Sequence, residues 1–266
     1  MDTSFTSTAD GFLDSLDSGL WNTFAGQLGD LVIDDPGFVR THYISKRAAT
    51  ALGDKRRSRG AIRTFHNMAH TSVHVKIAMD YIIPALADER YDVAVKAIAG
   101  MAHTPHNTSE ISERLSSAML DKKLRGKMPD VFYRASSNPK FIPELLPSLI
   151  GAMKDKRRSA AVKAVDRLST RRSSAKKIGR ALLPALADPA SRSAATVASI
   201  RLFDRYPPVT SQESSVVDLA RLHDGPAKEA VERILKSCKR GEEIRRLIEE
   251  RKRSKGKRVT RRKRRL

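Results

Sequence analysis

The sequence predicts an all-α protein: a helical repeat (α-solenoid-like) or an irregular helical bundle, with a disordered basic C-terminal tail. Three observations predict it. The 266 residues are 40% hydrophobic but only 5% aromatic, a balance that suits Ala/Leu-rich helices better than a sandwich or barrel. No stretch sustains strand-like alternation, although short runs such as FVRTHYI (38–44) read as strand candidates. A Leu-Pro-x-Leu phrase followed by an amphipathic segment also recurs along the chain.

In chain order, residues 1–35 form an acidic segment with seven aspartates before residue 36 and no Lys or Arg. Within it, Phe12, Leu13, Leu16, Leu20, Trp21 and Phe24 fall near helical spacing. Asp34-Asp35-Pro36-Gly37 is a turn signal. GDKRRSRG (53–60) reads as a basic loop, and from about residue 61 helix follows helix. The expected organisation is therefore an N-terminal segment (1–35), a helical body (36–240) and a basic end with its tail (241–266).

The recurring phrase occupies residues 81–102, 144–169, 181–203 and, more loosely, 215–237; residues 113–135 fill the wide gap as a degenerate copy. Aligned on Pro84, Pro147, Pro184 and Asp218, the copies are 63, 37 and 34 residues apart. In each, a proline bends or starts a first helix and an aspartate-containing turn follows. A second helix then carries small apolar residues at helical spacing, such as Ala161, Val162, Val165 and Leu168. A period in the thirties built of paired helices marks a stacked repeat. The pattern resembles the HEAT/armadillo class of α-solenoid over roughly residues 81–240.

FHNMAHTSVH (65–74) places His66, His70 and His74 four apart, which on one helix would form a single stripe. His66-Asn67 followed by His70 resembles the His-Asn-x-x-His motif of HD-domain metal phosphohydrolases, and AIAGMAHTPHNTSEISERLSSAML (97–120) is similar to the segment of that family that carries a His-Asp metal pair. The resemblance implies His66 as proton donor and His70 and His103 as metal ligands, with His106, Glu110 and Glu113 nearby. The family's signature aspartate is Thr104 here. A threonine hydroxyl is a neutral, poor replacement for a carboxylate on a hard divalent ion, so the stretch reads as a polar helix face and no cofactor is expected.

Phosphate loops, dinucleotide fingerprints and nucleophile elbows are absent. Cys238 stands beside Lys236, Lys239 and Arg240, whose charge would depress a thiol pKa, yet it reads as an ordinary helix residue. A single cysteine excludes an intramolecular disulfide and suits a reducing compartment. No run is apolar for long enough to predict a membrane span, and the N-terminus has neither the basic nor the apolar region of a secretory signal.

Charge points to the partner. Lys and Arg number 51 against 30 acids, a net charge of +21. Residues 151–180 hold Lys154, Lys156, Arg157, Arg158, Lys163 and Arg167, then Arg171, Arg172, Lys176, Lys177 and Arg180, against two aspartates. If the repeats stack, these cations are expected to form a continuous stripe along a phosphate backbone. The tail adds Arg251, Lys252, Arg253, Lys255 and Lys257, then Arg258, Arg261, Arg262, Lys263, Arg264 and Arg265. Such a tail repels itself, binds polyanions through counterion release, and also reads as a nuclear-import signal.

The expected function is therefore non-enzymatic. The chain reads as a structural or adaptor protein that binds nucleic acid through its backbone, RNA slightly ahead of DNA, in a cellular or viral ribonucleoprotein. A nuclear location, or association with nucleic acid in the cytoplasm, goes with it, as do an import receptor on the tail and a protein partner for the acidic N-terminus. The alternatives are a degenerate HD-like phosphohydrolase and a protein scaffold whose tail serves only import.

Overall fold

The computed structural model describes residues 3–35, 37–136, 142–209, 213–225 and 227–263, and of 255–263 the backbone only. Among these residues every regular element is helical. The chain divides into two compact units, Met1–Ser148 and Leu149–Leu266.

The first unit opens with α1 (Thr3–Asp14) and α2 (Trp21–Asp30), joined through a 3₁₀ turn at Ser15–Asp17. The predicted amphipathic stretch thus folds as two helices, with Leu13, Leu16, Ala25 and Leu28 buried. Next come α3 (Val39–Ala51), α4 (Ser58–Met68), α5 (Ser72–Ile82) and α6 (Tyr91–Met101). Then follow α7 (Pro105–Ala118), the short α8 (Lys122–Arg125) and α9 (Met128–Ala135). Alternate helices pack together, α2 on α4 on α6 on α9 in one row and α3 on α5 on α7 in another. Small residues permit the close approach: Gly29 of α2 faces Asn67 of α4, and Gly60 of α4 faces Leu16.

The strand candidate FVRTHYI is helical. Thr41, Ile44, Ser45 and Ala48 recur at helical spacing and are buried as one face of α3. The carboxylate of Asp35 accepts the Thr41 N–H at 2.9 Å and its hydroxyl at 3.2 Å, fixing the entry to that helix. Local capping and a small-residue face outweigh the strand preference of the β-branched and aromatic residues.

The chain crosses into the second unit within α10 (Ile142–Ala152). It continues through α11 (Arg158–Leu168), α12 (Arg172–Ala187), α13 (Arg192–Arg205), α14 (Ser214–His223), α15 (Lys228–Ser237) and α16 (Gly241–Lys263). Here too alternate helices pack, α11 on α13 on α15 and α12 on α14 on α16. The arrangement is compatible with a helical repeat. None of the described helices is long and apolar enough to cross a membrane.

The recurring unit is anchored by an aspartate, not by the prolines. Asp54, Asp88, Asp121, Asp155 and Asp188, spaced 34, 33, 34 and 33 residues apart, each accept the backbone N–H two residues on, at 2.7–3.1 Å. This is an Asx-turn. Arginines complete it in two ways. Arg90 and Arg157 fork onto the aspartate two residues before them, at 2.6 Å in each case. Arg125 and Arg192 instead donate to the last carbonyls of the preceding helix, Arg125 to Met119 at 2.8 Å and Arg192 to Leu186 at 3.0 Å. On this register Pro147 stands eight residues before its aspartate, whereas Pro84 and Pro184 stand four before theirs. The proline alignment therefore misplaced one copy by a helical turn and missed the copy that begins at Asp54.

Candidate nucleic-acid interface

Within the second unit the basic residues of 151–180 divide between fold and surface. Lys154 pairs with Asp188 at 2.9 Å, and Arg157 closes the Asp155 turn. Lys156, Arg158, Lys163 and Arg167 are exposed, while Arg171 and Lys177 are half-buried. The turn that carries Lys154 to Arg158 lies at the start of α11 and the turn that carries Arg171 and Arg172 at its end. Eleven residues of helix separate them by about 16 Å. The expected single stripe is thus divided between the two ends of α11.

One set does converge. Arg172, Lys176 and Arg180 lie at i, i+4 and i+8 on α12 and are exposed. The helical rise spaces them by about 6 Å along one face. None of the three has an ion pair among the described residues. They line a groove of about 510 Å³, whose other boundaries include Leu202, Phe203, Tyr206, Pro207 and Val209 at the end of α13. Two further cations at the groove are held internally. Arg205 pairs with Asp166 at 3.1 Å and Arg240 with Glu243. The one carboxylate lining it among the described residues, Glu213, accepts the Val209 N–H at 2.6 Å. The groove therefore presents net positive charge along one wall and apolar surface along the other.

In the tail, Lys252 binds Asp224 at 2.8 Å and His223 at 3.1 Å. Arg251 is half-buried and Arg253 exposed. Arg264 and Arg265 lie outside the described residues, as do the side chains of Lys255, Lys257, Arg258, Arg261, Arg262 and Lys263.

The histidines do not share a helix. His70 stands in the turn between α4 and α5, and Thr71 caps α5 by accepting the His74 N–H. The His66 ring bonds the Gly100 carbonyl through Nδ1, and His70 bonds the Gly29 carbonyl through Nε2 at 3.3 Å. A carbonyl only accepts, so each of those nitrogens carries the proton. His66 and His103 face each other at 4.9 Å between ring centroids, and with His70 and Asp30 they line a cleft of about 380 Å³. Burial, and then the neighbouring His66, holds His103 below the usual histidine range. Among the described residues no three His, Cys, Asp or Glu side chains are placed to hold a metal ion.

Met68-Ala69-His70-Thr71 recurs as Met101-Ala102-His103-Thr104, so the histidines occupy matching turns. Asn107 joins the two by donating to the carbonyls of Ala69 at 2.9 Å and Met101 at 3.1 Å.

Cys238 is buried and its thiol is pushed up to about 12 by burial, then by Asp204; desolvation outweighs the lysines and arginine beside it. In the acidic N-terminus, Asp10 pairs with Arg47 at 3.1 Å and Asp14 with Arg57 at 3.2 Å. At least those two aspartates serve the first unit's own surface.

Sequence reading missed Phe203, Tyr206, Pro207 and Val209. The available signal was the Arg-x-x-x-Lys-x-x-x-Arg stripe at 172–180 together with the aromatic and proline residues that end the next helix. No protein-family model matches this chain, and no curated protein matches it significantly.

Proposed function

We propose that this chain is a HEAT/armadillo-like, non-enzymatic protein that binds nucleic acid through the phosphate backbone, RNA ahead of DNA, as a structural or adaptor component of a ribonucleoprotein. The observation that carries the reading is the stripe of Arg172, Lys176 and Arg180, three exposed cations about 6 Å apart with no ion-pair partner among the described residues. Structural arginines in this molecule are paired, as Arg90, Arg157 and Arg205 are. Holding three cations unpaired on one face is unfavourable unless an anion meets them. The C-terminal stretch, with eleven Lys/Arg in its last sixteen residues, adds sequence-independent affinity and serves nuclear import.

The test is the salt dependence of affinity for a short RNA, followed by fluorescence anisotropy. Each lost phosphate contact lowers the slope of log affinity against log salt by about 0.7–0.9. The triple variant Arg172→Glu, Lys176→Glu, Arg180→Glu is expected to bind far more weakly, with a slope shallower by about 2. Deleting residues 251–266 flattens it further. Binding and slope unchanged in both variants would refute the proposal.

A further inference from the structure

We infer that the groove beside the α12 stripe accepts unpaired bases, so that the second unit prefers single-stranded nucleic acid to duplex. This deepens the proposal above and rests on it. The groove's charged wall is Arg172, Lys176 and Arg180, and its apolar boundary is Leu202, Phe203, Tyr206, Pro207 and Val209. A duplex offers only phosphates and groove edges to a surface, because its bases are stacked inside. A single strand offers phosphates on one side and base faces on the other. Only the second ligand matches both walls at once.

The aromatic boundary is held in place. The Tyr206 hydroxyl donates to the Thr170 carbonyl at 3.0 Å, which tethers the ring to the end of α11. Its ring remains half-buried, so part of it meets solvent. Phe203 is 5% exposed and supports the groove from below, whereas Val209 is 70% exposed and extends the apolar rim. An isolated apolar rim of this size has no reason to be bordered by three cations that have no ion pair among the described residues if its occupant is an ordinary apolar peptide. An acidic peptide would satisfy the cations and leave the ring unused. Charge complementarity together with a tethered ring selects a ligand that is anionic along one edge and flat and apolar along the other. A phosphodiester strand with exposed bases has that chemistry.

The experiment measures the full-length chain against a short oligouridine and against an RNA duplex of equal length. The variants are Tyr206→Ala, Tyr206→Phe and Val209→Asp. Stacking on one aromatic side chain changes affinity by about tenfold or more. Tyr206→Ala is expected to lose about tenfold for the single strand and to leave the duplex within about twofold, with Tyr206→Phe retaining most of the affinity because the ring is kept. Val209→Asp alters an exposed position that the fold does not need, and it places a carboxylate where the strand passes. It is expected to weaken single-strand binding more than duplex binding, which keeps the test decisive if Tyr206→Ala fails to fold. Equal losses for both ligands, or none for either, would overturn the inference. If the Arg172, Lys176, Arg180 variant loses binding while Tyr206→Ala and Val209→Asp bind the single strand normally, the backbone reading stands and the base groove falls. If the cation variant also binds normally, both fall.

Discussion

Arg157 grips Asp155 twice: its backbone N–H donates to Oδ1 at 2.8 Å and its guanidinium to Oδ2 at 2.6 Å. Asp88 and Arg90 do the same, at 2.9 and 2.6 Å. The pair closes the turn between two helices. A cation that the charge map assigns to a nucleic-acid surface is thus part of the folding machinery.

Removing Asp155 should therefore act on stability. Asp155→Ala leaves the turn N–H and the Arg157 guanidinium without their acceptor, a loss of about 1 kcal/mol for a cap of this kind. A thermal melt is expected to show Tm lowered by roughly 4 °C. RNA affinity should stay close to that of the parent. A melt that does not move, or an affinity that falls with it unchanged, would contradict the assignment.

Acid should destabilise the protein in two steps. Burial, then the neighbouring charges His70 and His66, holds His74 and His103 below the histidine value of 6.5. As pH falls below 6.5 the unfolded chain takes up protons that the folded one refuses, so stability declines. Asp88, Asp155 and Asp188 are held below 3.8 by hydrogen bonds from Arg90, Arg157 and Lys154 respectively. Their contribution is intact above 3.8 and is lost as pH falls through their lower folded values. Melts across this range are expected to show both declines. The His74→Gln, His103→Gln variant should lack the upper one, and its persistence there would show that other groups cause it.

Two glycines of the first unit should respond oppositely to the same change. A Cβ on Gly60 would lie 2.8 Å from two side-chain atoms of Leu16 and 3.0 Å from its backbone oxygen, and Leu16 is fully buried. Gly60→Ala is expected to destabilise by about 1–3 kcal/mol. Gly26, inside α2, has nothing within 4 Å of that position. Gly26→Ala is expected to stabilise by roughly 0.5–1 kcal/mol through the lower helix cost of alanine. Denaturant midpoints for the two variants should bracket the parent; shifts of the same sign would contradict the close approach of α4 to Leu16.

The helical class was legible because burial periodicity is a local property. The segments 144–169 and 215–237 match α10–α11 and α14–α15 to within two residues, whereas 181–203 covers only the second half of α12 with most of α13. The stride was harder to read. Proline is conspicuous in sequence, but Pro147 lies inside α10 as Pro184 does inside α12, at different distances from the turn. The aspartate that closes each turn is a commoner residue, and only its hydrogen bond distinguishes it. The histidine stretch was misread as one helix because spacing alone does not reveal the Thr71 cap. The groove was the least legible feature, because its walls come from α12 and the end of α13 and meet only through packing.

Several tertiary hydrogen bonds described above reach similar distances along the chain: 34 residues from His66 to Gly100, 36 from Tyr206 to Thr170 and 38 from Asn107 to Ala69. Bonding of that reach has a consequence for how each unit comes apart. Where a unit is a stacked repeat, a helix pair answers to its immediate neighbours and not to a central core that all of them share. Heat or denaturant can then loosen a terminal pair while the pairs behind it hold, so loss of structure travels inward like a zip. Assembly runs the same way in reverse, since short-range closure is entropically easy and quick.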